Sequence, residues 1–288
     1  MTEKHLSDQR FADMDLVEPL HKGLADAGFE FCTPIQAQAL PVALGGQDVA
    51  GQAQTGTGKT VAFLLACAQH LVQNPPSSDD RNGNIRAMIL APTRELAIQI
   101  HKDAETLVRH TGLRLGLVYG GTGYEEQKQM LAAGVDILIG TPGRLIDYFK
   151  QNLFGLKHLQ VVVLDEADRM FDLGFIKDIR YLFRRMPPPQ ERLNMLFSAT
   201  LSFRVMELAY EHMNNPVEVK IESDSRVADK IEEFCFYPAD DEKSPLLINM
   251  LKKSGAERSL VFVNTRHAVE SVAATLEANG ITLSLIHI

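Results

Sequence analysis

Short runs of consecutive apolar residues recur along the first 221 positions, and between them lie segments with apolar residues every three or four places. The unbroken runs at 87–91, 115–119, 136–139, 161–164 and 195–197 lack the in–out alternation of a half-exposed strand. They predict strands buried on both faces. The periodic segments at 16–27, 95–109, 124–133 and 203–212 predict amphipathic helices. Gly28 is placed to end the first of these, and Pro34 suits the first turn of another helix that starts after Thr33. Strands alternating with helices imply an α/β fold, a parallel sheet covered by helices on both faces. The polar segment 74–84, rich in Pro, Ser, Asp and Asn, reads as a surface loop, because the alternation resumes straight after it. Pro187-Pro188-Pro189 ends another helix.

A boundary falls later. After a short strand at 217–221, residues 222–230 are polar and aperiodic and read as a linker. The pattern then restarts with strands expected at 234–237 and 259–263 and helices at 246–253 and 267–278. Two strand–helix units are too few to cover a sheet. The expected organisation is therefore a first domain at 1–221, a linker at 222–230 and a partial second domain at 231–288. The final hexapeptide, Leu283-Ser284-Leu285-Ile286-His287-Ile288, reads either as a strand or as a non-native tail of the kind a common sequencing adaptor encodes.

Composition narrows the class. The chain has 288 residues, 45% hydrophobic and 23% charged, with a net charge of −8. That is an ordinary globular balance, and it counts against a generally basic nucleic-acid binder while leaving room for a local basic groove. Cys32, Cys67 and Cys235 are scattered and fit no zinc pattern, so they are expected to be reduced thiols of a cytoplasmic protein. The N-terminus has no apolar signal core, and the longest apolar stretch, 61–72, is interrupted by Gln69 and His70, so no membrane span is expected.

The chemistry begins at Ala53-Gln54-Thr55-Gly56-Thr57-Gly58-Lys59-Thr60. Between an apolar strand and an apolar helix this is a phosphate-binding loop: glycines let backbone N–H groups face phosphate oxygens, and the helix start adds its positive dipole end. Lys59 can reach the β- and γ-phosphates of a nucleotide, and the Thr60 hydroxyl can sit on magnesium. The strict pattern opens with Gly; this loop opens with Ala53. The run Val161-Val162-Val163-Leu164 then delivers Asp165-Glu166-Ala167-Asp168 to the C-terminal end of a strand, the edge where doubly wound sheets bind ligands. Asp165 is the candidate magnesium ligand, and Glu166 the candidate base for the water that attacks the γ-phosphate. Ser198 and Thr200, at the end of the next strand, are either partners of this acidic turn or caps of the helix at 203–212; the residues alone favour the cap.

These motifs, in this order, resemble the DEAD-box family of ATP-dependent RNA helicases. The resemblance rests on Thr33-Pro34-Ile35-Gln36, the phosphate loop, Pro92-Thr93-Arg94-Glu95-Leu96-Ala97, Gly120-Gly121, Thr141-Pro142-Gly143-Arg144, the acidic tetrad and Ser198-Ala199-Thr200, and covers residues 11–282. The family's loop also opens with Ala. Within it, segments 48–60, 112–121 and 165–186 look most like the bacterial RhlB-type branch, helicases of the RNA degradosome. The resemblance implies a RecA-like first domain and an incomplete RecA-like second one. It implies that Gln36 reads the adenine edge, that Phe11 stacks on the base, and that Thr33 and Pro34 help hold the nucleotide; on the residues alone, Gln36 and Phe11 read instead as a helix-turn glutamine and a core aromatic. It implies that Lys59, Asp165, Glu166, Asp168, Ser198 and Thr200 carry ATP hydrolysis. Pro92, Thr93, Arg94, Glu95, Gly120, Gly121, Thr141, Pro142, Gly143 and Arg144 would contact the RNA backbone with little sequence preference.

In the second domain Leu260-Val261-Phe262-Val263-Asn264-Thr265-Arg266 resembles a further family motif, but residues 1–288 contain no Ala-Arg-Gly-Asp-like or His-Arg-x-Gly-Arg-x-x-Arg segment. The family's arginine finger lies there, a group worth roughly 10³–10⁵ in rate. These 288 residues are therefore expected to bind ATP and magnesium yet unwind RNA weakly. The RhlB-type resemblance implies the degradosome nuclease as a partner docking on the second domain. The competing expectations are an ATP-gated RNA clamp or degradosome scaffold and, more distantly, a P-loop kinase or DNA translocase.

Overall fold

The computed structural model describes residues 6–76, 83–121, 123–221, 232, 234–253, 255 and 258–285. The chain divides into two units, Met1–Ser223 and Asp224–Ile288. The expected linker at 222–230 lies outside the described residues.

In the first unit, helices α1 (Glu18–Asp26) and α2 (Pro34–Leu44) precede strand β1 (Val49–Gln52). Strands and helices then alternate through α3 (Lys59–Gln73), β2 (Ala87–Leu90), α4 (Arg94–Leu107), β3 (Leu115–Val118), α5 (Tyr124–Ala132), β4 (Ile137–Gly140), α6 (Pro142–Lys150) and β5 (Val161–Leu164). Helices α7 (Ala167–Asp172) and α8 (Ile176–Phe183) follow, then β6 (Leu193–Ser198), α9 (Phe203–His212) and β7 (Val217–Lys220). Among the described residues these seven strands form one sheet in the order β3-β4-β2-β5-β6-β1-β7, and every pairing is parallel.

The unbroken apolar runs have the role their pattern predicts. Strands β2, β4 and β5 are buried at every position. Successive side chains still point to opposite faces. Ile89, Ile139 and Val163 pack with α1 to α4 in one core layer, while Met88, Leu138 and Val162 pack with α5 to α9 in another. The outer strands differ: β3 is only alternately buried and β7 exposes Glu218 and Lys220, the polar edge that discourages further pairing. Helix α3 is buried nearly all round. Its interior Gln69 is satisfied by accepting from Val17 N–H at 2.8 Å and donating to the Asp15 carbonyl at 3.1 Å. No described helix is long and apolar enough to cross a membrane. Cys32 and Cys67 are buried free thiols and Cys235 is an exposed one.

At the end of the sheet away from the strand C-termini, a buried carboxylate sets the strand register. Asp48, 3% exposed, accepts from Asn194 N–H at 2.8 Å, from Asn194 Nδ2 at 2.7 Å and from Asn214 N–H at 2.6 Å. It thereby joins the residue before β1 to the start of β6 and to the segment leading into β7. Its own carbonyl accepts from Val217 N–H at 2.8 Å.

The second unit holds α10 (Lys243–Lys253) and α11 (Arg266–Ala278), and Thr265 caps the latter by accepting from Ala268 N–H at 3.2 Å. The strands expected at 234–237 and 259–263 are not formed, nor is one at 283–285. Tyr237 is 93% exposed and Leu260 79%. A strand needs a ladder partner and a covered face, and among the described residues of this unit neither run has one. The end of the terminal hexapeptide lies outside the described residues.

Removing the Asp48 carboxylate leaves the Asn194 and Asn214 N–H groups without their acceptor, at about 1–3 kcal/mol for each buried group that stays unsatisfied, while Asn194 Nδ2 keeps the Pro189 and Arg192 carbonyls. Asp48→Ala is expected to lower the unfolding free energy of the first unit by about 3 kcal/mol in total. Urea denaturation measures this, and an unchanged midpoint would remove Asp48 from the register argument.

Candidate functional site

Strand register brings three loops together. In β1 and β6, Gln52 pairs with Ser198, and in β5 and β6, Leu164 pairs with Leu196. The chains leaving these strand ends are therefore neighbours, although 146 sequence positions separate the first pair. Ala53, buried, continues the ladder by donating to the Ser198 carbonyl at 3.0 Å. The loop then turns on Gly56 and Gly58, with φ of +84° and +92°, the left-handed region that disfavours any side chain. At Gly58, which begins α3, a Cβ would also stand 2.4 Å from Gln36 Nε2 and 2.9 Å from Thr33 Oγ1.

Gln36 is the reason for that close approach. Only 3% exposed, it accepts from Thr33 N–H at 2.8 Å and donates to the Gly58 carbonyl at 2.9 Å. It holds the start of α2 against the phosphate loop rather than lying open to solvent. Pro34 occupies the first turn of α2. Phe11 is buried at 2% exposure, its ring 6.5 Å from that of Phe29. It packs in the core layer that α1 to α4 share.

Lys59 is 5% exposed and its Nζ has no hydrogen-bond partner among the described residues. A buried ammonium without a hydrogen bond is costly, so the position suits an anionic ligand. Thr60 follows in the first turn of α3. Asp165, 2% exposed at the end of β5, has its carboxyl pushed up to about 6 by burial, with the Lys59 charge pulling the other way. Glu166 takes a left-handed backbone, φ +49°, unusual for a side chain of this size. Its carboxylate accepts from Thr55 Oγ1 at 3.2 Å and lies 3.9 Å from Arg169 Nε. Gln54, Thr55 and Gly56 are exposed and Thr57 is partly so.

Ser198 and Thr200 both bond to the acidic turn. Asp168 N–H donates to Ser198 Oγ at 3.2 Å, and Asp168 Oδ2 accepts from Thr200 N–H at 3.2 Å and Thr200 Oγ1 at 3.3 Å. Helix α9 starts from Ser202 instead. The two hydroxyls are partners of the acidic turn, not caps.

The remaining motif residues leave the adjacent strands β2, β4 and β3 at the same edge. Thr93 caps α4 by accepting from Leu96 N–H at 3.3 Å. Arg94 is exposed with its guanidinium 4.8 Å from the centre of the Tyr119 ring, and its Nη1 is 3.6 Å from where a Cβ on Gly121 would stand. Glu95, Gly120, Gly121 and Gly143 are exposed, Thr141 partly so, and Pro92 and Pro142 are buried. Arg144 differs from Arg94. Its side chain is 13% exposed, lies 5.0 Å and 5.1 Å from the Tyr124 and Tyr148 ring centres, and donates to Tyr148 Oη at 2.9 Å. Tyr148 Oη donates in turn to the Tyr124 carbonyl at 2.9 Å. None of Tyr119, Tyr124 and Tyr148 was singled out in the sequence. The i, i+4 spacing of Arg144 and Tyr148 on one helix was the available signal.

A parallel sheet with this loop, a buried lysine and paired acids at its C-terminal edge defines a P-loop nucleotide-binding α/β protein. Residues 33–209 match the model of the DEAD/DEAH box helicase family. The chain is 58% identical over 279 residues to the ATP-dependent RNA helicase RhlB of Idiomarina loihiensis, covering 97% of this chain and 65% of the relative. It is 56% identical over 286 residues to the RhlB of Pseudoalteromonas atlantica, covering 99% and 67%. A crystal structure of a DEAD box protein from the hyperthermophile Methanococcus jannaschii superposes with a TM-score of 0.67 at 30% identity, covering 97% of this chain and 73% of that one. This chain belongs to the DEAD/DEAH box helicase family. It spans about two thirds of the length of the curated relatives it matches.

The crowding at Gly58 makes a direct prediction. Gly58→Ala combines a strained φ with a clash against Gln36, and the loop must shift to relieve both. ATP affinity should fall at least tenfold, a cost of about 1.4 kcal/mol, as titration with a fluorescent ATP analogue would show. Parent-like affinity would mean that the Gln36 contact is loose.

Proposed function

We propose that this chain supplies the ATP site and an RNA-contacting surface of an ATP-dependent RNA helicase of the RhlB type. The observation that carries the reading is the unpartnered, buried Lys59 ammonium facing Asp165 at the amino end of α3. An anion of phosphate chemistry satisfies it, and the acids beside it serve hydrolysis. On this reading residues 1–221 are the ATP-binding RecA-like domain and 231–288 contribute to a second one across the linker 222–230.

The roles follow from chemistry. Backbone N–H groups of Gly56 to Lys59 and the Lys59 ammonium neutralise phosphate charge. Gln36 and Thr33 sense whether the loop is filled, since Gln36 is bonded to Gly58. Thr60 and Asp165 are oxygen donors of the kind magnesium takes, with phosphates and water completing its shell; bound there, it would neutralise charge developing on the phosphates. Glu166 orients and deprotonates the attacking water. Asp168, bonded to Ser198 and Thr200, transmits the state of the acidic turn to the loop after β6. Arg94, Gly120, Gly121 and the Thr141–Arg144 turn then offer a guanidinium and backbone amides to RNA phosphates, which reads backbone rather than sequence. ATP and RNA each raise the other's affinity if both favour one closed state. The relatives' name supports a place in RNA metabolism, and the degradosome nuclease is the partner this reading names. Residues 1–288 alone should unwind weakly, because no arginine-finger segment lies within them.

Two measurements test this. Glu166→Gln should bind ATP as the parent does and hydrolyse it about 10²–10⁴-fold more slowly, the usual worth of a general base; normal turnover would assign the base elsewhere. ATPase rate should be compared with and without single-stranded RNA or DNA, on this chain and on a form extended to the relatives' length. Stimulation by RNA in the extended form alone is expected. ATP binding without any RNA response would replace helicase by clamp or scaffold, and equal stimulation by DNA would replace it by a DNA translocase.

A further inference from the structure

Helix α5 carries one polar side chain turned inward. Gln127 is 8% exposed, while Glu125 and Glu126 beside it face solvent. Its carboxamide pairs with the main chain of Tyr119 as a neighbouring strand would: Tyr119 N–H donates to Oε1 and Nε2 donates to the Tyr119 carbonyl, both at 3.3 Å. The same Oε1 lies 3.5 Å from Arg144 Nη1. Gln127 thus reaches both cationic groups of the surface. It meets Arg144 directly, and it meets Arg94 through Tyr119, on whose ring the Arg94 guanidinium rests. Tyr119 is also the residue before Gly120-Gly121, so the tie fixes where that turn begins.

We propose that Gln127 is a positioning residue of the RNA surface, holding the exit of β3 and Arg144 in one fixed arrangement without itself touching RNA. The proposal rests on the RNA-binding reading above. The physical reason is entropic. Arginine side chains that are already placed bind phosphate without first losing rotamer freedom, and each one left loose must be ordered on binding. A planar amide is suited to the task because it offers a donor to the Tyr119 carbonyl and an acceptor to the Tyr119 N–H and to Arg144 at once.

The test uses the whole 288-residue chain. Binding of a fluorescein-labelled single-stranded oligoribonucleotide is followed by anisotropy at fixed low salt, beside the affinity for a fluorescent ATP analogue and the melting temperature. Gln127→Leu removes every hydrogen bond of the amide. Gln127→Glu keeps the acceptor and loses the donor. Leucine should weaken RNA binding about tenfold, the scale of ordering two rotamer-rich side chains, while ATP affinity stays at the parent value. Glutamate should recover most of that loss. If the leucine variant does not fold, Gln127→Met, which keeps the length without the amide, takes its place with the same expectations. RNA affinity equal to the parent's in the leucine or methionine variant overturns the proposal. So does a matching loss of ATP affinity, which would make Gln127 a general structural residue. Arg94→Ala separates the two levels. If the parent binds RNA and Arg94→Ala does not, a parent-like leucine variant sinks the positioning role alone. A parent that fails to bind RNA sinks the RNA reading and the proposal with it.

Discussion

The buried carboxylate of Asp48 is the constraint on which the site depends. It binds two main-chain donors and a side-chain amide from segments 146 and more positions away, and so joins β1, β6 and the entry to β7 at one end of the sheet. Parallel strands have no tight turn to set their register; long crossovers leave that to side chains and packing. A slip of one residue would turn every core side chain to the wrong face. It would also move Gln52 away from Ser198, and the phosphate loop away from the acidic turn. The chemistry at one edge is held by a hydrogen-bond clasp at the other.

That register also divides the functional edge. The loops after β1, β6 and β5 hold the groups suited to phosphate and hydrolysis. Those after β2, β4 and β3, next along the same edge, hold the arginines and glycines suited to a polyanion. Strands β5 and β2 are paired neighbours, so the two halves meet within one rigid layer. The acidic turn sits at their boundary. Its last member, Asp168, is bonded to Ser198 and Thr200, which ties the acidic turn to the loop after β6.

Much of this was legible from local pattern. Unbroken apolar runs marked the buried strands because a parallel sheet covered on both faces requires them. The phosphate loop and the acidic tetrad were readable because each is a contiguous string with a strand before it. What escaped the sequence depends on contacts between distant positions. Ser198 and Thr200 read as caps until the strand order placed them beside Asp168. Arg144 stands in the sequence without its partners, and two tyrosines from separate helices lie beside it in the fold. The runs at 234–237 and 259–263 have strand composition but no neighbour among the described residues to pair with, and composition cannot supply one.

The unpartnered Lys59 has a consequence beyond catalysis. A buried ammonium without a hydrogen bond carries a desolvation cost, and on the proposed reading a bound nucleotide offsets it. Ligand that binds only the folded chain stabilises it by RT ln(1 + [L]/Kd), about 2.7 kcal/mol at a hundredfold excess over Kd. Against a typical total of roughly 5–15 kcal/mol, that is a large share. If the proposed site holds ATP, nucleotide concentration bears on the stability of the first unit as well as on turnover.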